Sequence, residues 1–239
     1  MNEKALFTLL HDAWGENCNE SMRLTMMRLS VDELAMFEAE KLHAAVPEIP
    51  KEKWQIWRDY FSKERLALRA QLLEDFDIQI LLYIDPTYPE SLKNIYRPPS
   101  ILYVKGHFQL SAINIGMVGS RRATPYGKNV AYTLAKGLSN ENICIISGLA
   151  KGIDVNSHKG ALEGAGGTIA VLGCGINRIY PRENKKCLRK FFYIPRVQLF
   201  LNGLWMHLQL RGTSLHAIVL LQAFLMAWLL LKLRRKVAL

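Results

Sequence analysis

The first 75 residues place apolar side chains at three- and four-residue spacing between charged ones, the period of amphipathic helices. Three segments carry the pattern: EKALFTLLHDAW, SVDELAMFEAEKLHAAV and KEKWQIWRDYFSKERLALRAQLLEDF. Ser30 followed by Glu33 predicts a capping box at the start of the second segment, and Pro47 and Pro50 predict a break before the third. The pattern therefore predicts a small all-α domain over residues 1–75.

Short apolar runs replace this pattern after residue 75, and they alternate with helical segments. IQILLYI and the end of RPPSILYVKG each predict a strand. Three buried strands are then predicted at INIGMVG, ICIIS and TIAVLG, with a helix capped by Thr124 before Pro125 between the first two and a helix over 154–163 before the third. Val130, Leu134 and Leu138 line one face of the earlier helix. The alternation predicts an α/β fold, a Rossmann-like doubly wound parallel sheet with helices on both faces.

The net charge of +10 belongs to one end of the chain. Residues 1–184 contain 21 Lys+Arg and all 21 Asp+Glu, whereas residues 185–239 contain 10 Lys+Arg and no acid. The overall basicity is therefore no argument for nucleic-acid binding, which has to rest on local chemistry. The N-terminus resembles no secretory signal, and the four cysteines form no C-x-x-C pair, so we predict a reducing cytoplasmic setting without zinc or disulfides.

The carboxyl ends of the three buried strands share one chemistry. Each end offers glycine, a small hydroxyl or amide, and a cation, and ligands of such folds bind at this edge of the sheet. Glycine lets a phosphate approach backbone N–H groups, and an arginine grips it with two donors. The predicted phosphate-binding residues are Gly119, Ser120, Arg121 and Arg122 after the first strand, Ser147, Gly148, Lys151 and Gly152 after the second, and Gly173, Gly175 and Arg178 after the third.

Motifs for cofactors and catalysis are absent from the sequence. Neither G-x-G-x-x-G nor the P-loop pattern follows the first strand, and no Ser/His/Asp or Cys/His arrangement can be argued from spacing. Asp154 begins a helix with His158 one turn later, which predicts an N-cap and a local contact. We predict no cofactor, no metal and no catalytic residue. A nucleotide-binding hydrolase on a related fold is the enzyme alternative, with Glu163 and Glu183 as the nearest acids.

The segments DPTYPESLKNIYRPPSILYVKG, GSRRATPYG and ISGLAKGIDVNSHKGALEGAGGTIAVLGCGINRIYPREN together resemble the DprA/Smf family of bacterial DNA-processing proteins. The resemblance covers about residues 75–184. It implies a Rossmann-like domain, of which residues 76–185 form the N-terminal part. Such a domain binds and protects single-stranded DNA and loads the recombinase RecA onto it during natural transformation, without being an enzyme. It also identifies Gly119, Ser120 and Arg121 with the family's phosphate-gripping motif and the segment around Lys151 with its second glycine-rich segment. Tyr126 and Tyr180 are candidates for stacking on bases.

The resemblance stops after Asn184, and the acid-free tail that follows has three interpretations. The uncharged run Ala217–Leu231, followed by a basic cluster, resembles a membrane anchor, but its fifteen residues are short of the roughly 20 needed and include Gln222. A buried helix is the second interpretation. The third is a frameshift, which codon logic can test.

Shifting the frame of IVLLQAFLMAWLLLKLRRKVA by one base allows N-R-I-I-A-G-L-S-N-G-V-V-V-V-E-A-K-x-K-S-G, which is the segment that the family has and this chain lacks. Met226 forces glycine at the next shifted codon, and Trp228 limits its successor to valine or alanine. Our hypothesis is that residues from about Lys186 onward, 186–239, are translated out of frame. The family's homodimer contacts come largely from the affected region, and the uncovered apolar sheet would favour aggregation.

Overall fold

The computed structural model describes residues 2–15, 18–106, 113–172, 197–201 and 227–230. The chain divides into two compact units, Met1–Tyr103 and Val104–Leu239. Gly173, Gly175, Arg178 and Tyr180 lie outside the described residues, as does all of the tail except two short strands.

The first unit is helical up to residue 75, as the sequence predicts. Its helices are α1 (Glu3–Trp14), α2 (Asn19–Arg28), α3 (Val31–Met36), α4 (Ala39–Ala45), α5 (Lys51–Tyr60) and α6 (Lys63–Asp75). The strands β1 (Gln79–Leu82) and β2 (Ile101–Lys105) follow, with the short helix α7 (Glu90–Lys93) between them. The predicted capping box is confirmed: Ser30 Oγ accepts the Glu33 backbone N–H at 3.3 Å, and a Glu33 carboxylate oxygen accepts the Ser30 N–H at 2.7 Å.

Two of the predicted helical segments are each split into two helices. The segment from Val31 breaks at Phe37, whose backbone is extended, and the segment from Lys51 breaks where Ser62 caps α6 by accepting the Arg65 N–H. The hydrophobic period continues across both breaks, so the sequence pattern alone could not show them. Fully buried Trp54 and Trp57 anchor α5, and Trp57 Nε1 donates to the Leu34 carbonyl oxygen at 2.9 Å.

The second unit contains the predicted strand–helix alternation. Its elements are β3 (Asn114–Val118), α8 (Pro125–Asn140), β4 (Cys144–Ser147), α9 (Ile153–Ala161), β5 (Thr168–Leu172), β6 (Val197–Leu201) and β7 (Ala227–Leu230). The strands lie in the order β6-β5-β4-β3-β7, and every pair among them is parallel. The α/β class, the parallel sheet and the helical N-terminal region are therefore confirmed.

Helices α8 and α9 pack on the same face of this sheet. Successive right-handed crossovers that step in one direction place their helices on one side. Consistent with this, the Ser139 hydroxyl near the end of α8 donates to the Ala161 carbonyl oxygen at 2.8 Å. In the part of the unit that the structure describes, no helix covers the opposite face, where we also expected helices.

The buried stripe of α8 differs by one position from the predicted one. Ala131 and Ala135 are fully buried against Met117 and Ile145 of the sheet, whereas Leu134 and Leu138 are only partly buried beside them. Small side chains allow the helix to approach the sheet closely, and the larger leucines then fill the margin of the contact. Thr124 caps this helix as predicted, accepting the Gly127 N–H at 3.1 Å.

Two strands fall within the acid-free tail. β6 pairs with β5 over five residues, and β7 pairs with β3 from Ile115 opposite Ala227 to Val118 opposite Leu230. β7 lies within the apolar run 217–231, most of which is outside the described residues. Among the described residues, no helix has both the length and the apolar character needed to cross a membrane.

Candidate nucleic-acid interface

The loops that follow β3 and β4 are locked together at the backbone. The Ile153 N–H, at the start of α9, donates to the Ser120 carbonyl oxygen at 3.3 Å. Gly152 sits beside this bond with a positive φ of 87°, and a Cβ built there would lie only 2.1 Å from the same carbonyl oxygen. Only glycine fits both the conformation and the space. The structure therefore brings the first two predicted strand ends into direct contact.

Gly119 makes the second close contact between these loops. A Cβ at this position would lie 2.6 Å from Ile153 Cγ1, so the absent side chain leaves room for the isoleucine that begins α9. Ile153 is 2% exposed and belongs to the core cluster that the sheet forms with α8 and α9. The glycine thus serves the packing between the two loops.

Asp154 is the side chain that joins the two loops. Its carboxylate accepts backbone N–H groups of Gly119 after β3, of Gly148 and Ala150 after β4, and of Asp154 itself. Burial raises the pKa of the carboxyl, and the four N–H donors counteract that rise without cancelling it. A negative charge at a helix start is also favoured by the helix dipole. Asp154 therefore takes up backbone donors that the sequence had suggested for a phosphate.

The roles predicted for Asp154 and His158 need correction. The N-cap of α9 is Gly152, and Asp154 is the second helical residue, turned toward the loops. His158 is fully buried, and its Nδ1 lies 2.7 Å from the Thr168 hydroxyl on β5. Burial lowers the pKa of His158 to about 3, so the imidazole is neutral at physiological pH.

The predicted phosphate-binding residues separate into an exposed and an interior group. Gly119, Ser120, Arg121, Arg122 and Lys151 are exposed, whereas Ser147 and Gly152 are buried and Gly148 is half-buried. The Ser147 hydroxyl donates to the Met117 carbonyl oxygen of β3 at 2.6 Å, so it ties neighbouring strands together. Ser120 Oγ accepts the Arg122 N–H at 3.1 Å, which closes the turn after β3 and leaves its own proton available to a ligand.

The exposed side chains at this edge carry only positive formal charge in the described part of the unit. Asp154, the acid located there, is 6% exposed. Glu163 is near the end of α9, where it accepts from the Tyr132 hydroxyl and pairs with Lys136 at 2.7 Å. Glu141 follows the end of α8, at the amino end of β4. Because helices between parallel strands run back along the sheet, both glutamates lie toward its opposite edge.

Arg121 and Arg122 form no ion pair within the described residues. Two guanidinium groups and the nearby Lys151 ammonium, held on loops locked to each other, form a surface that suits an extended polyanion. No group of three or more His, Cys, Asp or Glu in the described ranges could hold a metal ion. Exposed cations in this arrangement have the charge and the donors that a phosphate group requires.

Sequence reasoning missed the part played by Asp154. The signal was present, since the acid stands two residues after Gly152, the glycine that precedes α9. From the sequence we predicted that Asp154 caps the helix, because a linear pattern cannot show that the loop after β3 lies within hydrogen-bonding distance of its carboxylate. Leu149 was missed for the same reason: it is fully buried with a φ of 56°, a conformation that non-glycine residues rarely adopt.

Comparison with curated proteins places the similarity in the same region of the chain. The DNA processing protein DprA of Bacillus subtilis is 46% identical over 99 residues, which are 41% of this chain and 33% of the relative. The DNA processing protein DprA of Streptococcus pneumoniae is 41% identical over 104 residues, 43% of this chain and 36% of the relative. The chain thus spans about a third of the length of these relatives.

Two solved structures have folds similar to that of this chain. DNA processing protein A from Streptococcus pneumoniae aligns with a TM-score of 0.71 over 94% of this chain and 76% of that chain, at 22% identity, which shows the fold alone. DNA processing protein A from Helicobacter pylori, whose structure addresses its single-stranded DNA binding mode, aligns with a TM-score of 0.56 at 26% identity, over 64% of this chain and 68% of that chain.

The family profile described as DNA recombination-mediator protein A matches residues 79–200, just over half of the chain. That range contains β3, β4 and β5 together with both locked loops. The chain belongs to the DNA recombination-mediator protein A family, the DprA/Smf DNA-processing proteins.

Proposed function

We propose that this chain binds single-stranded DNA along the carboxyl edge of its parallel sheet. The observation that carries the proposal is the separation of charge at that edge: the cations Arg121, Arg122 and Lys151 are exposed, while the carboxylate of Asp154 is buried beneath them. A backbone of phosphates would therefore meet an uninterrupted positive surface. The guanidinium groups can each bind a phosphate with two donors, and the Ser120 hydroxyl can add a third.

The similarity to the Helicobacter pylori protein supports this choice of ligand, because that structure addresses single-stranded DNA binding. The contribution of each strand end is unequal. The backbone N–H groups around Gly119 and Gly148 are bound by Asp154, so we assign the phosphate contacts mainly to side chains. We include Gly173, Gly175 and Arg178 in the proposed surface on the basis of the sequence pattern alone. All three lie outside the described residues.

Binding is tested with a labelled oligothymidylate and the full chain, by gel shift and by fluorescence anisotropy across a salt series. Arg121→Ala and Lys151→Ala should each weaken binding about 10-fold or more and flatten the slope of log K against log salt by about 0.7 per lost phosphate contact. Lys159→Ala is the matched control, an exposed lysine toward the far end of α9. Affinity that survives both Arg121→Ala and Lys151→Ala would sink the site assignment.

We propose further that the bound strand is protected and passed to RecA, as the family resemblance implies. The assay is RecA assembly on single strands already coated with single-strand-binding protein, followed by RecA ATPase rate. The chain should shorten the lag before assembly, and Arg121→Ala should need a correspondingly higher concentration for the same effect, because it binds DNA more weakly. An unchanged lag with the wild-type chain, at concentrations where it binds DNA, contradicts the loading role and leaves the binding role standing.

The hydrolase alternative requires a carboxylate base at the phosphate-binding edge. Glu163 lies toward the opposite edge and pairs with Lys136, and Asp154 is buried and holds backbone donors. Glu183 lies outside the described residues. Nucleotide turnover by the purified chain that disappears in Glu183→Gln would restore this alternative.

For the tail, we propose translation out of frame from about Lys186 onward. The valine-rich segment of the shifted frame corresponds to 228–231, which overlaps β7, so an apolar strand is encoded there in either frame. Sequencing the DNA around the codons for 184–187 should show a one-base gain or the equivalent loss, in the adenine-rich run of Lys185 and Lys186. Confirmed DNA with an early stop in the shifted frame would restore the membrane anchor, which flotation with lipid vesicles after alkaline extraction then tests.

A further inference from the structure

Tyr126 is the exposed aromatic side chain next to the cationic edge. It is 69% exposed and is the second residue of α8, whose start is fixed by Thr124 and Pro125. Tyr126 lies four positions after Arg122 in the chain, so the two Cα atoms are at most about 14 Å apart, and they are closer because the chain turns between them. The ring is thus held on a rigid element beside the proposed path of the phosphates.

The ring of Tyr126 is not used by the described part of the protein. Within those residues it makes no hydrogen bond, ion pair or ring contact. Tyr132, six residues further along the same helix, shows the contrasting case, because its hydroxyl donates to Glu163 and links α8 to the end of α9. A single exposed ring is common on protein surfaces, but one that lies beside exposed cations offers an apolar face to a ligand that carries both phosphates and bases.

We propose that Tyr126 stacks on an unpaired nucleobase and thereby makes this edge select single strands over duplex DNA. This inference rests on the proposed binding of single-stranded DNA. Cations alone bind the phosphates of single strands and duplexes alike, whereas the π-face of a base is open only when the base is not stacked inside a duplex. A ring beside the cations therefore strengthens the binding of single strands without strengthening the binding of duplexes.

The test compares Tyr126→Ala, Tyr126→Phe and Tyr96→Ala in the full chain. Tyr96 is the matched control, since it is 82% exposed and lies in the first unit. The probes are an oligothymidylate longer than the roughly 16 nucleotides of the largest single-fold sites, an abasic strand of the same length, and a duplex. Circular dichroism and thermal melting check that every variant keeps the wild-type fold.

Tyr126→Ala should weaken oligothymidylate binding about 5- to 150-fold, the range for losing one stacked base, with an unchanged salt slope. On the abasic strand and the duplex, the same variant should bind as wild type does. Tyr126→Phe should stay within about 2-fold of wild type because the ring remains, and Tyr96→Ala should be neutral.

Three results would overturn the inference: Tyr126→Ala binding oligothymidylate like wild type, losing equal affinity on the abasic strand, or being matched in its loss by Tyr126→Phe. A failure of the proposed function looks different. In that case the wild-type chain binds no oligothymidylate, or Arg121→Ala leaves the affinity and its salt slope unchanged.

Discussion

Replacing Asp154 by alanine separates two effects that act in opposite directions on DNA binding. The substitution removes a negative charge from beneath a cationic surface, which by electrostatics alone would strengthen the attraction for a polyanion. It also removes the acceptor that joins the N–H groups of Gly119, Gly148 and Ala150. We expect the second effect to dominate, so that Asp154→Ala binds single-stranded DNA more weakly than wild type.

The effect on stability follows from the same contacts. A hydrogen bond to a charged acceptor is worth about 1.5–3 kcal/mol, and a buried donor left without an acceptor costs about 1–3 kcal/mol. Two features reduce the total: Gly119 is exposed, so water reaches its N–H, and removing the carboxylate also removes its burial penalty. We expect Asp154→Ala to lower the free energy of unfolding by about 2–4 kcal/mol, and Asp154→Asn by less because one acceptor oxygen remains.

The measurements are urea unfolding followed by circular dichroism and anisotropy with a labelled single strand, both in the full chain. Glu163→Ala is the control, because it removes an exposed acid of the same unit that lies away from the loops. It should change stability little, since exposed ion pairs contribute little. If Asp154→Ala is as stable as Glu163→Ala, or if it binds DNA more tightly than wild type, the idea that this carboxylate holds the loops in place is refuted.

The pH dependence provides an independent check on Asp154. Burial raises the pKa of its carboxyl above the unfolded value of 3.8, so the folded chain binds the proton more readily than the unfolded chain does. The stability difference between wild type and Asp154→Asn should therefore be largest below pH 3.8 and should shrink as pH rises through the folded pKa. A difference that grows with pH would show that the N–H donors outweigh burial.

Three further predictions concern the rest of the chain. Gly152→Ala should lower the free energy of unfolding, measured with urea, by about 2–4 kcal/mol, because alanine is strained at a positive φ and its Cβ would overlap the Ser120 carbonyl oxygen. An unchanged unfolding midpoint would contradict the close contact between the two loops. Burial lowers the pKa of His158 to about 3 and that of His11 to about 4, so the unfolded chain binds these protons more readily and stability should fall as pH drops below the unfolded pKa of 6.5. The melting temperature of His158→Gln should therefore fall less between pH 7 and pH 5 than that of wild type. If the tail is out of frame, light scattering should show a dimer for the frame-restored chain and a monomer or aggregate for this one. Equal molar masses for the two chains would contradict the prediction that the frameshift removes the dimer contacts.

The order of helices and strands from β3 to β5 could be predicted from sequence because it depends on local periodicity, whereas α2 lies in none of the three predicted helical segments. The runs around β3, β4 and β5 are short, apolar and bounded by glycine or turn residues, and such runs are typical of buried parallel strands. Thr124 before Pro125 marked the start of α8, and Ser30 with Glu33 marked that of α3. The breaks at Phe37 and Ser62 escaped prediction, because a hydrophobic period that suits one long helix also suits two shorter ones packed on a common core.

The chemical class of the interface was also encoded in the sequence. Glycines and cations after successive parallel strands predict a phosphate-binding edge, since the strand ends must converge there. The sequence could not say which of those groups face solvent. Ser147 and Gly148 match the pattern as well as Arg121 does, yet the Ser147 hydroxyl bonds to β3 and the Gly148 N–H bonds to Asp154.

Tertiary structure alone decided that division, because it depends on distances between loops that are about 30 residues apart in the chain. Once Gly152 lets the β4 loop approach the Ser120 carbonyl, the nearest acceptor for the backbone donors of both loops is the carboxylate of Asp154. Buried polar groups must be paired, so the interior members of the motif hold one another. The long, charged side chains of Arg121, Arg122 and Lys151 remain in water, where a polyanion can reach them.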